Sequence, residues 1–340
     1  MEPGVPGSSP GGGTISKTHD MPLMSAHARY AAHTAKVCGF AFRSLDGDDG
    51  YLFEVSDGPR RAEFAAGAAT PYALNNARAA AIARDKAFCA AVLRARAVPV
   101  LPGEMFFVTP RWAEMRHPGR EPQDALDFAG RASYPLFCKP VSASNGLFAE
   151  VIDSVDAFAS YMERVAREHF AILVQPYVSA PEYRVFMLQG QALFSYRKHL
   201  PQVIGDGLRS FSELVAALPR EAGAPPLRPR GRDASGHAIT PDEIVAPDAT
   251  IMLEGPANRA AGGRASALED GARDDLARLA LAATNAIGLG LAGVDMFDHP
   301  ADGPVVIEVN SNPMIATLED HGRWDLIEAI WRANFAAALR

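Results

Sequence analysis

Apolar positions along the chain recur with two periods, and the switches between them mark out the elements. In Val155–Glu168 the residues Phe158, Tyr161, Met162 and Val165 repeat at the spacing of one helix face. Ser25–Val37, ended by Gly39, reads as a short helix, the Ala-rich Asn75–Arg96 as a long one, and Asp270–Ile287 and Trp324–Leu339 as two more. Short apolar runs predict strands at Phe40–Arg43 and Tyr51–Val55, around LDGDDG, whose Asp-Gly steps favour a tight turn. Further strands are predicted at Tyr134–Pro140 and Ile172–Tyr177. Tyr183–Leu188 and Ala192–Tyr196 form a hairpin turned at Gln189-Gly190, and the runs GVDMF and VVIEV of Leu291–Pro313 form another across a Pro/Gly/Asp turn. The prolines of VPVLPGEMFFV imply extended chain. Residues 219–250, rich in Pro, Arg, Asp and Gly, read as a surface excursion, with a Ser210–Ala217 helix before them. Irregular alternation and antiparallel hairpins predict an α+β (mixed α/β) fold of subdomains rather than one doubly wound sheet.

Composition narrows the function classes. The chain has 340 residues and a net charge of −7, so no nucleic-acid-binding surface is indicated. Cys38, Cys89 and Cys138 are odd in number and scattered, which argues against a disulfide framework or a thiolate metal site. No apolar run reaches membrane-spanning length. Residues 1–20 are Gly/Pro/Ser-rich without an apolar core and read as a disordered tail, not a signal peptide. A reducing cytoplasm is the simplest location.

The strongest candidate chemistry lies in the last hairpin. Asp295 and Glu308 sit in its two runs, and Asn310 leaves the same strand face as Glu308. Two carboxylates and an amide are hard oxygen ligands suited to Mg²⁺. Taken alone, they are equally two edge-strand acids beside a turn.

Five further motifs precede that hairpin. RDKAFCAAVLRARAVPVLPG holds Lys86, CKPVSASNG holds Lys139, Ser144 and Gly146, and LVQPYVSAPEYRVFML holds Gln175, Tyr177, Val178, Glu182 and Arg184. SYRKHLPQVIGDGLRSFSELV holds Arg197 and Lys198, and GPANRAAGGRA holds Asn258. In this order the motifs resemble the ATP-grasp superfamily of carboxylate–amine ligases, closest to the ATP-grasp module of bifunctional glutathione synthetases and cyanophycin synthetase. The resemblance runs from about Ser25 to the C-terminus.

It implies an ATP-grasp fold, two α+β subdomains gripping ATP. It divides the chain into a tail (1–20), a short N-terminal α/β segment (21–85), a first subdomain (86–178) and a second carrying the metal site (179–340). It makes ATP and two Mg²⁺ ions, with Mn²⁺ as a substitute, the cofactors. Asp295, Glu308 and Asn310 fall on the metal positions. Lys86, Lys139, Ser144, Gly146, Gln175, Tyr177, Val178 and Glu182 fall on nucleotide positions, and Arg184, Arg197, Lys198 and Asn258 on catalytic ones. The loop after Lys139 is poorer in glycine than its relatives, Ala260 replaces a usual serine, Met314 stands where Gly is common, and Gly293 stands where D-alanine ligases carry Arg.

The implied reaction forms an amide through an acyl-phosphate, on small-molecule carboxylate and amine substrates of amino-acid or small-peptide type, γ-glutamyl or aspartyl among them. The implied protein works without nucleic acid or membrane, and a homodimer is compatible with the family. Two alternatives stand beside this: a natural-product or peptide-tailoring amide synthetase, and a non-catalytic ATP-binding protein that kept the fold.

Overall fold

The structure is a computed structural model that describes residues 24–66, 70–144, 146–219, 227–257, 262–299 and 303–340. The predicted tail, Asn145 and Asn258 lie outside the described residues.

Helix α1 (Ala26–Cys38) starts where the Ser25 side chain accepts from the Ala28 N–H and stops at Gly39, whose φ of 73° only glycine adopts cheaply. Strands β1 (Ala41–Ser44), β2 (Leu52–Ser56) and β3 (Arg61–Ala65) form an antiparallel sheet in that order. The third strand is an addition to the predicted two. Its alternation is short and Ala-rich, with Ala62 and Phe64 turned inward. The predicted Asn75–Arg96 helix is two helices, α2 (Ala77–Arg84) and α3 (Lys86–Ala95). Asp85 breaks it: at φ −92° and ψ 109° its carboxylate accepts from the Ala87 and Phe88 N–H groups, which a continuous helix would have bonded internally. The break makes Lys86 the first residue of α3.

A second unit follows: β4 (Glu104–Phe107), α4 (Pro122–Ala129), β5 (Leu136–Pro140), β6 (Glu150–Ile152), α5 (Val155–Val165) and β7 (Ala171–Pro176). Its antiparallel sheet runs β4-β7-β5-β6. The predicted stripe Phe158, Tyr161, Met162 and Val165 is buried against Leu136, Cys138, Ile172 and Val174. Strand alternation then turns Lys139, next to Cys138, to the opposite face.

The third unit opens with β8 (Glu182–Leu188) and β9 (Gln191–His199), joined at Gln189-Gly190 with positive φ at both, as the hairpin reading required. Next come β10 (Gln202–Ile204), α6 (Phe211–Ala216), β11 (Gly231–Arg232), β12 (Ala238–Ile239) and β13 (Thr250–Leu253). These form a small sheet, β10-β13-β11-β12, over a core of Val203, Phe211, Leu214, Ile251 and Leu253. The described part of the predicted surface excursion packs onto this core through Val245, with Leu227 and Ile239 at its margin. Ser210 and Glu213 cap α6 reciprocally.

The chain closes with β14 (Arg264–Ala265), β15 (Glu269–Asp270), α7 (Asp274–Ile287), β16 (Leu291–His299), β17 (Gly303–Asn310), α8 (Ala316–Asp320) and α9 (Trp324–Ala338). The large sheet runs β14-β9-β8-β16-β17, with β15 also on β9. Helix α7 covers one face, burying Leu276, Leu279, Ala283 and Ile287 against Val185, Met187, Val294 and Val309. Helix α9 buries Trp331 and Phe335 against α1 and the first sheet. No helix among the described residues is long and apolar enough to cross a membrane.

Candidate active site

The face of the large sheet opposite α7 is divided: Phe186, Phe194, Tyr196 and Leu291 join the core under α9, and the neighbouring positions carry charge. Register decides which charges meet. Arg184 on β8 stands opposite both Tyr196 on β9 and Asp295 on β16, Glu182 stands opposite Lys198, and Asp295 stands opposite Glu308 on β17. A fork of two hydrogen bonds follows: Arg184 Nε donates to Asp295 Oδ1 at 2.7 Å and Nη2 to Oδ2 at 2.6 Å. Asp295 is only 2% exposed. The two partners of this fork lie 111 positions apart in the chain. Glu182 is ion-paired with Lys198, whose Nζ also lies 3.6 Å from Asp295 Oδ2.

Lys86 arrives from the start of α3. Its ammonium donates to the Ala143 carbonyl at 2.7 Å and lies 3.7 Å from Glu308 Oε2. Lys139, buried on β5, comes from the second unit. Burial pushes its ammonium pKa down, and the nearby Glu308 carboxylate opposes that. Burial pushes Glu182 up, against the pull of Lys198. Burial would push Glu308 up as well, but Lys86, Lys139, Lys198 and Arg184 together hold it well below the usual carboxylate range. Four cations against three carboxylates leave one net positive charge in a largely buried cluster. Such a cluster is completed by an anion rich in oxygen acceptors.

Asn310 ties the acids together: its Nδ2 donates to Asp295 Oδ2 at 3.3 Å and to Glu308 Oε1 at 3.2 Å. The amide's two ends are interchangeable by rotation, and the reversed orientation presents Oδ1 beside both carboxylates. Three hard oxygens then converge. This donor set fits Mg²⁺ or Mn²⁺, which draw their remaining ligands from phosphate and water. Among the described residues no group of three or more His, Cys, Asp or Glu could hold a metal.

The remaining sequence candidates are distributed as follows. Gln175 is buried on β7, its Nε2 donating to the Leu101 carbonyl at 3.4 Å and its Oε1 without a hydrogen-bond partner among the described residues. Tyr177 and Val178 are half-buried in the segment between β7 and β8, and the Tyr177 N–H is taken by the Pro135 carbonyl. Ser144 is exposed, and Gly146 has a φ of 73°, in the turn after β5. Arg197 does not join the cluster. It sits between Tyr196 and Lys198 on β9, so alternation sends it to the other face, where it is exposed. Asn258 lies outside the described residues. Sequence reasoning passed over Asn75, which sits at the base of this hairpin; the doubled asparagine before an Ala-rich helix was its one signal, and it read as a helix start.

Residues 239–333, which include Asp295, Glu308 and Asn310, match the RimK-like ATP-grasp domain. Over that stretch the chain is similar to an ATP-grasp domain. It is 30% identical over 213 residues to the glutathione biosynthesis bifunctional protein GshAB of Mannheimia succiniciproducens, covering 54% of this chain and 28% of that one. It is 25% identical over 214 residues to cyanophycin synthetase of Trichormus variabilis, covering 56% and 23%. Among solved structures, a bifunctional glutathione synthetase from Pasteurella multocida superposes with a TM-score of 0.48 at 20% identity, over 91% of this chain and 44% of that one. The chain thus spans less than half the length of these relatives.

Proposed function

We propose that the protein is an ATP-dependent carboxylate–amine ligase acting on amino-acid or small-peptide substrates. The observation that carries this reading is the largely buried cluster of Lys86, Lys139, Arg184 and Lys198 around Glu182, Asp295 and Glu308, net positive and drawn from the start of α3, from β5 and from the large sheet. Its geometry suits a polyphosphate between the β5 face and the large sheet. The RimK-like domain and the GshAB and cyanophycin synthetase relatives support the same class.

In this reading the adenine lies at the segment between β7 and β8, near Gln175, Tyr177 and Val178, with Glu182 toward the ribose. Lys86 and Lys139 hold the phosphates. Arg184 and Lys198 face the transferring phosphoryl group, whose charge spreads over its equatorial oxygens. The substrate carboxylate oxygen bonds to the γ-phosphorus as the bond to the β–γ bridging oxygen breaks, giving ADP and an acyl-phosphate. The amine nitrogen then attacks the acyl carbon, the carbon–oxygen bond to phosphate breaks, and the amine proton passes to solvent. Asp295, Glu308 and Asn310 would hold the divalent cation, which when bound neutralises phosphate charge. The protein's share is positioning and fixed charge, so no nucleophile or general base is required of it.

The test is a phosphate-release screen with ATP and Mg²⁺ over pairs of amino acids and dipeptides, with mass spectrometry of the products. A pair that releases phosphate and yields a product lighter than the summed substrates by one water supports the reading. Nucleotide binding with no turnover on any pair favours the non-catalytic alternative.

A further inference from the structure

We infer that Asn75 is a positioning residue for the carboxylate hairpin, acting on the cation-binding geometry through the backbone rather than by touching the ligand. The inference rests on the reading of Asp295, Glu308 and Asn310 given above. Asn75 is 8% exposed, and its side-chain amide makes four hydrogen bonds, all to the open end of the β16–β17 hairpin. Its Nδ2 donates to the Leu291 carbonyl at 2.8 Å and to the Ser311 carbonyl at 2.9 Å. Its Oδ1 accepts from the Gly290 N–H at 3.1 Å and the Leu291 N–H at 3.0 Å. One end of the amide therefore grips the first residue of β16 and the residue after Asn310 together. No other residue type of this size offers two donors and a double acceptor in one plane.

The surrounding segment reinforces the grip. Thr70 Oγ1 also donates to the Ser311 carbonyl at 2.9 Å, and the Tyr72 hydroxyl donates to the Pro313 carbonyl at 3.1 Å. The chain passes so close that a Cβ on Gly290 would stand 2.7 Å from the Leu74 carbonyl oxygen. Directly after Asn75, Asn76 caps α2, and α2 leads to the Asp85 break and Lys86. Asn75 thus joins the element that delivers a phosphate-facing lysine to the strands that deliver the oxygen ligands. The hairpin carries a register shift just after Asp295, so its ends are not set by ladder bonding alone. Fixing Leu291 and Ser311 against each other sets how Asp295, four residues on, meets Asn310.

The test measures binding of a non-hydrolysable ATP analogue to the full chain twice, with Mn²⁺ and in EDTA, and takes the ratio of the two affinities. A merely structural lesion lowers both affinities and leaves the ratio alone. Asn75→Ala is expected to reduce the ratio by about tenfold or more. Asn76→Ala, which removes the α2 cap next door, is expected to leave it within about twofold. If Asn75→Ala does not fold, Asn75→Asp serves: it keeps the acceptor for Gly290 and Leu291, loses both donated bonds, and is expected to lose the ratio likewise. A wild-type ratio in a folded Asn75 variant, or an equal loss in Asn76→Ala, overturns the inference while leaving the ligase reading intact. Failure of the wild-type chain to bind the analogue in either buffer overturns the ligase reading itself, and this inference with it.

Discussion

Removing the guanidinium of Arg184 is the sharpest probe of the charge cluster. Arg184→Met keeps most of the alkyl stem and strands Asp295, which is 2% exposed and loses both of its short hydrogen bonds. Breaking a buried pair from one side costs about 3–5 kcal/mol. Lys198 Nζ at 3.6 Å and Asn310 Nδ2 at 3.3 Å remain to soften the loss, which puts the expectation at the lower end, about 3 kcal/mol. Adding Asp295→Asn removes the stranded charge. The double variant should then be less destabilised than the sum of the two singles by about 2 kcal/mol. Urea unfolding of the four proteins, followed by circular dichroism, gives the cycle directly. Additivity of the two changes within about 0.5 kcal/mol would refute the coupling and, with it, the claim that Arg184 and Asp295 form the centre of the site.

Three further outcomes are expected. Lys139→Ala should weaken ATP binding by about tenfold or more, near 1.4 kcal/mol, by calorimetry; an affinity within about threefold of wild type would remove Lys139 from the phosphate contacts. Glu308→Ala should abolish Mg²⁺-dependent ATP turnover while the circular dichroism spectrum stays native, and normal turnover would sink the ligand assignment. His27, buried beside Tyr72 and Trp331, has its pKa lowered from 6.5 to about 4 by burial, with an opposing hydrogen bond from Asn312. Below pH 6.5 the unfolded chain takes a proton that the folded one refuses. Stability should therefore be full above pH 6.5 and fall by up to about 3 kcal/mol as pH drops to 4. Denaturant midpoints across that range should flatten in His27→Gln; an unchanged slope would remove His27 as the cause.

Local chemistry was enough to read a good part of the molecule. Helix faces such as Phe158–Val165, the Gly39 stop, the Gln189-Gly190 turn and the pairing of the GVDMF and VVIEV runs follow from period, cap and turn preferences that act within a few residues. The resemblance of six ordered motifs named the ATP-grasp class for the same reason, since each motif is local. Asp85 shows the limit of such reading. Ala-rich flanks favour one long helix, but an aspartate whose carboxylate can bond the next turn's N–H groups splits it, and the split aims Lys86 at Glu308.

The partners across strands belong to the tertiary structure alone. Arg184 meets Asp295 because β8 and β16 are neighbours in one register, and a slip of β8 by one residue would turn Arg184 to the α7 face and leave Asp295 behind. The same alternation withdraws Arg197, which sequence order had placed beside Lys198 as an equal. Asn75 reads as a helix start until the chain is folded, when its amide proves to hold the two ends of a hairpin more than two hundred residues away. The sequence by itself determined which residues could bear charge, coordinate a cation and cap a helix. Only the packing of sheets decided which of them share a buried face, because pairing register and burial depend on contacts between distant segments, and no local preference encodes those.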